Sequence, residues 1–198
     1  MRFQTKQLFK WRSTSLNPMK EIEAKILEIK KSKIEATLAS LGAKKVFDGE
    51  IETFFFDFKD GAIAKAGNVM RLRRENKQAM LTFKNVLGNR TAKVAEEHSV
   101  EVSDLETAKK ILEGLGLHVV ESMQKHRVSY AIYDARFDID QYKGDYGYIP
   151  EFIEIEAESI DLIHKYAKLL GFKKEDCLPW STNELIHYYS SKKGKTES

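Results

Sequence analysis

The chain has one cysteine, three prolines and no long apolar run. A single thiol, Cys177, excludes an internal disulfide framework and a cysteine-based zinc centre, and it fits a cytoplasmic setting. No stretch approaches the roughly 20 apolar residues that a bilayer-spanning helix needs, so no membrane partner is expected. The histidines (His98, His118, His126, His164 and His187) are scattered and show no metal-ligand spacing. A P-loop is missing too: the nearest glycine-rich stretch, Lys143 to Gly147, lacks its spacing. Nor is there an excess of one charge. With 33 Lys plus Arg against 30 Asp plus Glu, the net charge is only +3, and no nucleic-acid partner is expected.

What is present is a chain of 198 residues, 42% hydrophobic and 32% charged, long enough for one domain with a real core. The charges divide unevenly along it. Residues 1–18 carry Arg2, Lys6, Lys10 and Arg12 with no acid and no apolar signal core, and read as a flexible basic extension. Residues 190–198 (SSKKGKTES) read as a solvated basic tail. The body between them, 19–189, holds 26 basic and 29 acidic residues, so it is about −3. Bulk attraction to a polyanion is therefore not its mode of binding.

Period-two alternation predicts strands over 20–29, 51–58, 69–75, 79–86, 95–102, 123–133, 135–141 and 151–157. Gly88-Asn89 and Tyr133-Asp134 mark the turns. Helical spacing predicts helices over 31–41, 104–115, 159–170 and about 181–190. Two of these end in Leu-Gly, at Leu41-Gly42 and Leu115-Gly116, and the two halves of the chain share an outline. Short links between strands predict a mainly antiparallel sheet, hence an α+β protein.

The strands share a further property. Glu21, Glu23 and Lys25 alternate with apolar residues, as do Arg71 and Arg73, Thr82 and Lys84, Lys125 and Arg127, Asp138 and Asp140, and Glu154 and Glu156. If the sheet curls, the amphipathic helices need the apolar face outside, which puts the charged face in a lumen. Six basic and six acidic residues in a lumen must be watery, paired with each other, or built around a charged ligand. The cations suit a ligand with several phosphates. The carboxylate pairs suit Mg²⁺ or Mn²⁺, which bridge oxygen ligands to phosphates.

In this order, Glu21-x-Glu23-x-Lys25, Arg71-x-Arg73, Thr82-x-Lys84, Lys125-x-Arg127, Asp138-x-Asp140 and Glu154-x-Glu156 resemble the signature of the CYTH superfamily. These are the triphosphate tunnel metalloenzymes, named for class IV adenylate cyclase and thiamine triphosphatase. The resemblance covers residues 19–189, and Ser181 to Ile186 (STNELI) resembles the family's terminal helix motif. It implies a closed antiparallel eight-stranded β-tunnel with a charged lumen and helices packed outside. Lys25, Arg71, Arg73, Lys84, Lys125 and Arg127 would bind the triphosphate. Glu21, Glu23, Glu154 and Glu156 would hold one or two Mg²⁺ or Mn²⁺ ions, with Asp140 (or Asp138) supporting a metal or orienting a basic residue. Glu21, Glu23 and Lys25 would be the catalytic group, a carboxylate orienting the attacking water. The family is compatible with a homodimer.

Some positions depart from the pattern. No tyrosine precedes Phe56-Asp57, Ala95 stands where an arginine is common, and Ser99 stands where a lumen glutamate is common. Lys93 or Arg90 could reach the phosphate that an arginine at 95 would contact. The expected activity is metal-dependent hydrolysis of a triphosphate, whether inorganic, nucleoside or thiamine. The alternatives are class IV cyclisation of ATP, a non-catalytic binder of polyphosphate or phosphorylated ligands, and a lumen whose charges merely pair.

Overall fold

A computed structural model describes residues 19–86 and 93–196, so the 1–18 extension and the Gly88-Asn89 turn lie outside the described residues. Eight strands form the sheet: β1 Met19–Ile26, β2 Lys44–Asp57, β3 Asn68–Glu75, β4 Gln78–Val86, β5 Lys93–Val102, β6 His118–Ile132, β7 Ala135–Tyr142 and β8 Phe152–Ala157. The helices are α1 Lys31–Ser40, the single turn α2 Ala62–Lys65, α3 Leu105–Gly114, α4 Ile160–Leu169 and α5 Thr182–Thr196. Every strand pairing is antiparallel, and β1 pairs with both β5 and β8. The sheet is therefore a closed barrel in the order β1-β5-β4-β3-β2-β6-β7-β8. Closure leaves no edge strand exposed.

The alternation seen in the sequence sorts residues between the two faces of this barrel. Ile22, Ala24 and Ile26 of β1, Phe137 and Ile139 of β7, and Ile153 and Ile155 of β8 point outward, where α1 and α4 cover them with Ile34, Leu38, Ile163 and Tyr166. On the other flank α3 lays Leu105, Ala108 and Leu112 over Phe54, Phe56, Leu72 and Leu81. The three consecutive phenylalanines are thus split: Phe54 and Phe56 meet α3, and Phe55 turns inward to a third cluster.

Local chemistry sets the helix limits. Asp104 caps α3 by accepting from Thr107 N, and Ser159 caps α4 by accepting from Leu162 N. Gly42 and Gly116 follow α1 and α3 with φ of +81° and +92°, a region that only glycine enters without strain. There the following residues, Ala43 and Leu117, donate back to Leu38 and Leu112.

Strands β2 and β6 and helix α5 run longer than the sequence suggests, β6 beginning at His118 instead of residue 123. Strand β2 begins at Lys44 instead of residue 51, paired along its length with the 15-residue β6. The early half of β2 is mostly exposed and lacks apolar alternation, so only pairing with β6 makes it a strand. Helix α5 continues to Thr196, into the stretch expected as a solvated tail. Its first part is docked: Leu185 is fully buried, and Tyr189 and Lys192 donate to Glu28 at 3.1 and 3.4 Å.

Candidate active site

The barrel register brings the predicted charged residues onto the inner face. Arg71 stands opposite Thr82, and Lys84 opposite Glu97. Arg127 faces Asp140, Asp138 faces Glu154, and Glu154 faces Lys25. Glu156 faces Glu23. The inner face buries several charged groups almost completely: Lys25 at 2% exposure, Arg127 at 5% and Asp140 at 0%. Of Glu21 the structure describes the backbone register only, opposite Ala95.

Arg127 is the hub. Its Nε donates to Asp140 Oδ1 at 2.6 Å and its Nη2 to Asp140 Oδ2 at 2.5 Å. Nη1 donates to Asp138 Oδ2 at 2.5 Å, and Nη2 also reaches Glu154 Oε2 at 2.6 Å. Lys125 donates to Asp140 Oδ2 at 2.5 Å and lies 5.6 Å from the centre of the Tyr142 ring. Lys25 stands 2.8 Å from Glu154 and 3.6 Å from Glu23. Across the lumen, Lys84 meets Glu97 at 2.7 Å, Arg71 approaches Glu97 at 3.9 Å, and Arg73 pairs with Glu75 at 3.3 Å. Ser99 bridges Glu97 and the buried Thr82. The Nε of Arg73 is buried and has no hydrogen-bond partner.

These contacts shape the protonation states. Burial opposes charge on Lys25, yet Glu154 and Glu23 outweigh it and push its pKa upward. Burial likewise opposes ionisation of Glu154, but Lys25 and Arg127 hold it well below the usual carboxylate range. Glu97 is drawn down to about 2 by Lys84 and Arg71 against its own burial. Lys125 goes the other way: burial and the neighbouring Arg127 pull it down to about 8 in spite of Asp140.

One end of the lumen is shut. Met123, Tyr142, Phe152 and Phe55 close around Leu185 and Tyr189 of α5 and Ile149 of the preceding loop. Tyr142 stacks on Phe152 at 5.9 Å. The chain just before α5 is pinned by two backbone hydrogen bonds between Lys25 and Leu178, both 2.8 Å. Glu23 and Glu156 lie further from that closed end than Lys25 and Glu154.

The cations and carboxylates singled out by their alternation therefore share the inner face of the barrel. Asp140, expected near a metal or a basic residue, has both oxygens committed to Arg127 and Lys125. Glu97, which with Glu101 is what the sequence leaves for the lumen beside Ser99, faces inward, and two inward-facing residues were not singled out from the sequence: Tyr142 and Arg136. Arg136 was legible, since it precedes Asp138 and Asp140 at the same period of two. Tyr142 follows them at the same period, but its packing against α5 was not legible. Residues read as unrelated to chemistry are placed accordingly. Cys177 is buried, with its thiol pushed up to about 11 by that burial and by Asp176. His126 turns outward to Asp48 at 3.2 Å, and Trp180 packs on Tyr188.

A profile of the CYTH domain matches residues 19–178. The chain belongs to the CYTH family. A Methanocaldococcus jannaschii protein provisionally described as an adenylate cyclase is 27% identical over 147 residues, 74% of this chain and 82% of that protein. The solved structure of a Pyrococcus horikoshii protein is 26% identical and superposes with a TM-score of 0.71, covering 84% of this chain and 99% of that one. A Hippeastrum protein, described as an adenylyl cyclase with a dominant triphosphatase activity, shares the fold at 16% identity and a TM-score of 0.64, covering 85% and 95%. The tunnel fold is that of the CYTH structures it resembles.

The family implies a divalent metal, and the donor set can be tested against that. Among the described residues, no three Asp, Glu, His or Cys side chains gather into one potential metal site. What the lumen offers is a directly opposed carboxylate pair, Glu23 and Glu156, next to Glu154. Two like charges opposite each other on neighbouring strands repel and invite a cation. Mg²⁺ commonly takes one or two carboxylates and completes its shell with phosphate oxygens and water. The residues fit such an ion bound together with a phosphorylated ligand. No helix among the described residues is long and apolar enough to cross a membrane.

Proposed function

We propose that this CYTH protein is a divalent-metal-dependent triphosphatase that hydrolyses a small triphosphate held in the lumen. The observation that carries the reading is the convergence of Lys25, Arg71, Arg73, Lys84, Lys125 and Arg127 on one inner face beside Glu23, Glu154 and Glu156. A lumen whose charges only pair would gain little by them, because well-packed apolar residues stabilise a core at least as well. The cytoplasmic setting belongs to the same proposal and is supported by the single buried thiol.

In this reading, the guanidinium forks of Arg71, Arg73 and Arg127 take phosphate oxygens and the ammonium groups of Lys25, Lys84 and Lys125 neutralise the rest. The groups are fixed before the ligand arrives, so stabilising the developing charge needs little reorganisation. Glu23, Glu154, Glu156 and Glu21 would hold the metal, which supplies Lewis-acid polarisation of the phosphoryl oxygens when bound. Glu23, with Glu21 beside it in the strand, orients a water toward the terminal phosphorus. The water oxygen bonds to phosphorus, the bridging P–O bond breaks, and the water proton ends on the departing diphosphate oxygen. Lys25, beside Glu154, stabilises the departing diphosphate oxygen.

A second reading, cyclisation of ATP to cyclic AMP and pyrophosphate, is supported by the likeness to the Methanocaldococcus jannaschii protein. One experiment separates the two. The full chain is incubated with Mg²⁺ or Mn²⁺ and tripolyphosphate, ATP or thiamine triphosphate, and orthophosphate, pyrophosphate and cyclic AMP are quantified. Orthophosphate release that Glu154→Gln and Arg73→Gln abolish is the expected result. Cyclic AMP with equimolar pyrophosphate would establish the cyclase instead. Tight binding of tripolyphosphate with no product would replace both with a non-catalytic binder.

A further inference from the structure

Glu97 is a lumen carboxylate to which the proposed reaction gives no task. It lies on β5 and holds two of the six cations assigned to phosphate. Its Oε2 stands 2.7 Å from Lys84 Nζ, and its Oε1 stands 3.9 Å from Arg71 Nη2. Oε1 also accepts from Ser99 Oγ at 2.7 Å. Ser99 Oγ in turn lies 2.9 Å from Oγ1 of Thr82, which is 1% exposed. With its proton on Glu97, Ser99 takes the Thr82 proton. The register explains this chain. Arg71, Thr82 and Ser99 form one rung across β3, β4 and β5, and Lys84 and Glu97 face each other in the next.

The carboxylate makes with Lys84 and Arg71 the same kind of contact that a phosphate oxygen would make. Burial favours its neutral form, yet Lys84 and Arg71 hold it at about 2, so it stays an anion. The other carboxylates on phosphate-binding cations differ from it. Asp138 and Asp140 are almost wholly buried against Arg127. Glu23 and Glu154 belong to the metal group, and Glu75 pairs with Arg73 alone, at 3.3 Å. Glu97 keeps 21% of its side chain exposed. A phosphate oxygen that arrives at Lys84 and Arg71 therefore meets a like charge already in contact with both, and the two anions repel. If Glu97 gives way, Ser99 still donates to it, so the displaced carboxylate is not stripped of every partner.

We propose that Glu97, retained by Ser99, is a built-in competitor for Lys84 and Arg71 that keeps both the triphosphate and its diphosphate product loosely held. This deepens the triphosphatase reading and rests on it. Lowering the affinity for substrate and product alike favours release over retention.

The test is the sign of an affinity change. Tripolyphosphate and pyrophosphate are titrated calorimetrically into the full chain in EDTA, and KM for tripolyphosphate is measured with Mg²⁺. Glu97→Gln keeps the shape and removes the charge. It should bind both anions at least roughly tenfold more tightly, and KM should fall. Ser99→Ala keeps the charge but loosens the carboxylate, so it should shift both affinities in the same direction by a smaller factor. In a Lys84→Met background, Glu97→Gln should gain less, because one of the contested cations is gone. A carboxylate that merely positions Lys84 gives the opposite sign. Weaker or unchanged binding of tripolyphosphate by Glu97→Gln would overturn the proposal, and if that variant does not fold, weaker or unchanged binding by Ser99→Ala does so instead. Hydrolysis by wild type without tighter binding in the variants removes only the role of Glu97. Neither binding nor hydrolysis of tripolyphosphate by wild type brings down the triphosphatase reading, and the proposal with it.

Discussion

Replacing Arg127 by methionine keeps most of the side-chain length and removes the charge. In the folded protein Arg127 donates four hydrogen bonds to three carboxylates, Asp138, Asp140 and Glu154, all between 2.5 and 2.6 Å. Asp138 and Asp140 are almost wholly inaccessible, at 6% and 0% exposure, so water cannot replace the lost donors. Breaking one side of a buried ion pair costs about 3–5 kcal/mol, and the number of bonds lost puts Arg127 toward the upper end. For a denaturant slope of about 2 kcal/mol per molar urea, the unfolding midpoint should fall by roughly 1.5–2.5 M at pH 7. The second arm is Arg127→Met combined with Asp140→Asn. Neutralising the carboxylate that Arg127 holds by two bonds should recover a large part of the loss, since the sites are coupled. A midpoint within about 0.3 M of wild type for the single variant would refute the argument. It would mean that the lumen carboxylates are solvated or protonated and that Arg127 does not offset them. Strictly additive losses in the double variant would refute the coupling alone.

Other outcomes follow from the same geometry. Glu97 has its folded pKa lowered to about 2 from an ordinary 4.5, so its stabilisation is present above pH 4.5 and is lost as pH falls toward 2. The shift corresponds to about 3 kcal/mol. Glu97→Gln should flatten the dependence of the urea midpoint on pH between 5 and 3, and parallel profiles would contradict this. Leu185→Ala, in the α5 face that closes one end of the lumen, should cost about 2–5 kcal/mol. An unchanged melting temperature would show that α5 is not packed against the lumen end. Asp57 accepts from the backbone N–H groups of Phe58, Ile63 and Ala64, which fixes the link between β2 and β3. Asp57→Ala should lower stability by about 2–3 kcal/mol and Asp57→Asn by less, read from the same urea curves.

Much of this architecture is legible in the order of residues, and the reason is period. Where a strand is apolar on one side and charged on the other, as in Lys20 to Ile26 or Phe152 to Ala157, alternation fixes both the element and which side chains share a face. The Leu-Gly helix endings are equally local, because only glycine is at ease at the positive φ found at Gly42 and Gly116. The early part of β2 has no such pattern, and its pairing with β6 is a nonlocal decision. The docking of α5 is another, since the burial of Leu185 and the bond from Tyr189 to Glu28 join residues far apart in the chain.

The sequence by itself determined that charged and apolar side chains lie on opposite faces of each strand, and therefore that the lumen is polar. It also supplied the roster of cations and carboxylates. Register, which sequence periodicity leaves free, was decided by closure of the barrel. Only closure puts Glu154 opposite Lys25, Arg127 opposite Asp140, and Arg136 in a rung with Glu156 and Glu23. An ion pair depends on distance and burial, and both are set by which strands become neighbours. The net charge of the chain therefore says little about the site, while the same residues, brought together by eight antiparallel pairings, set its electrostatics.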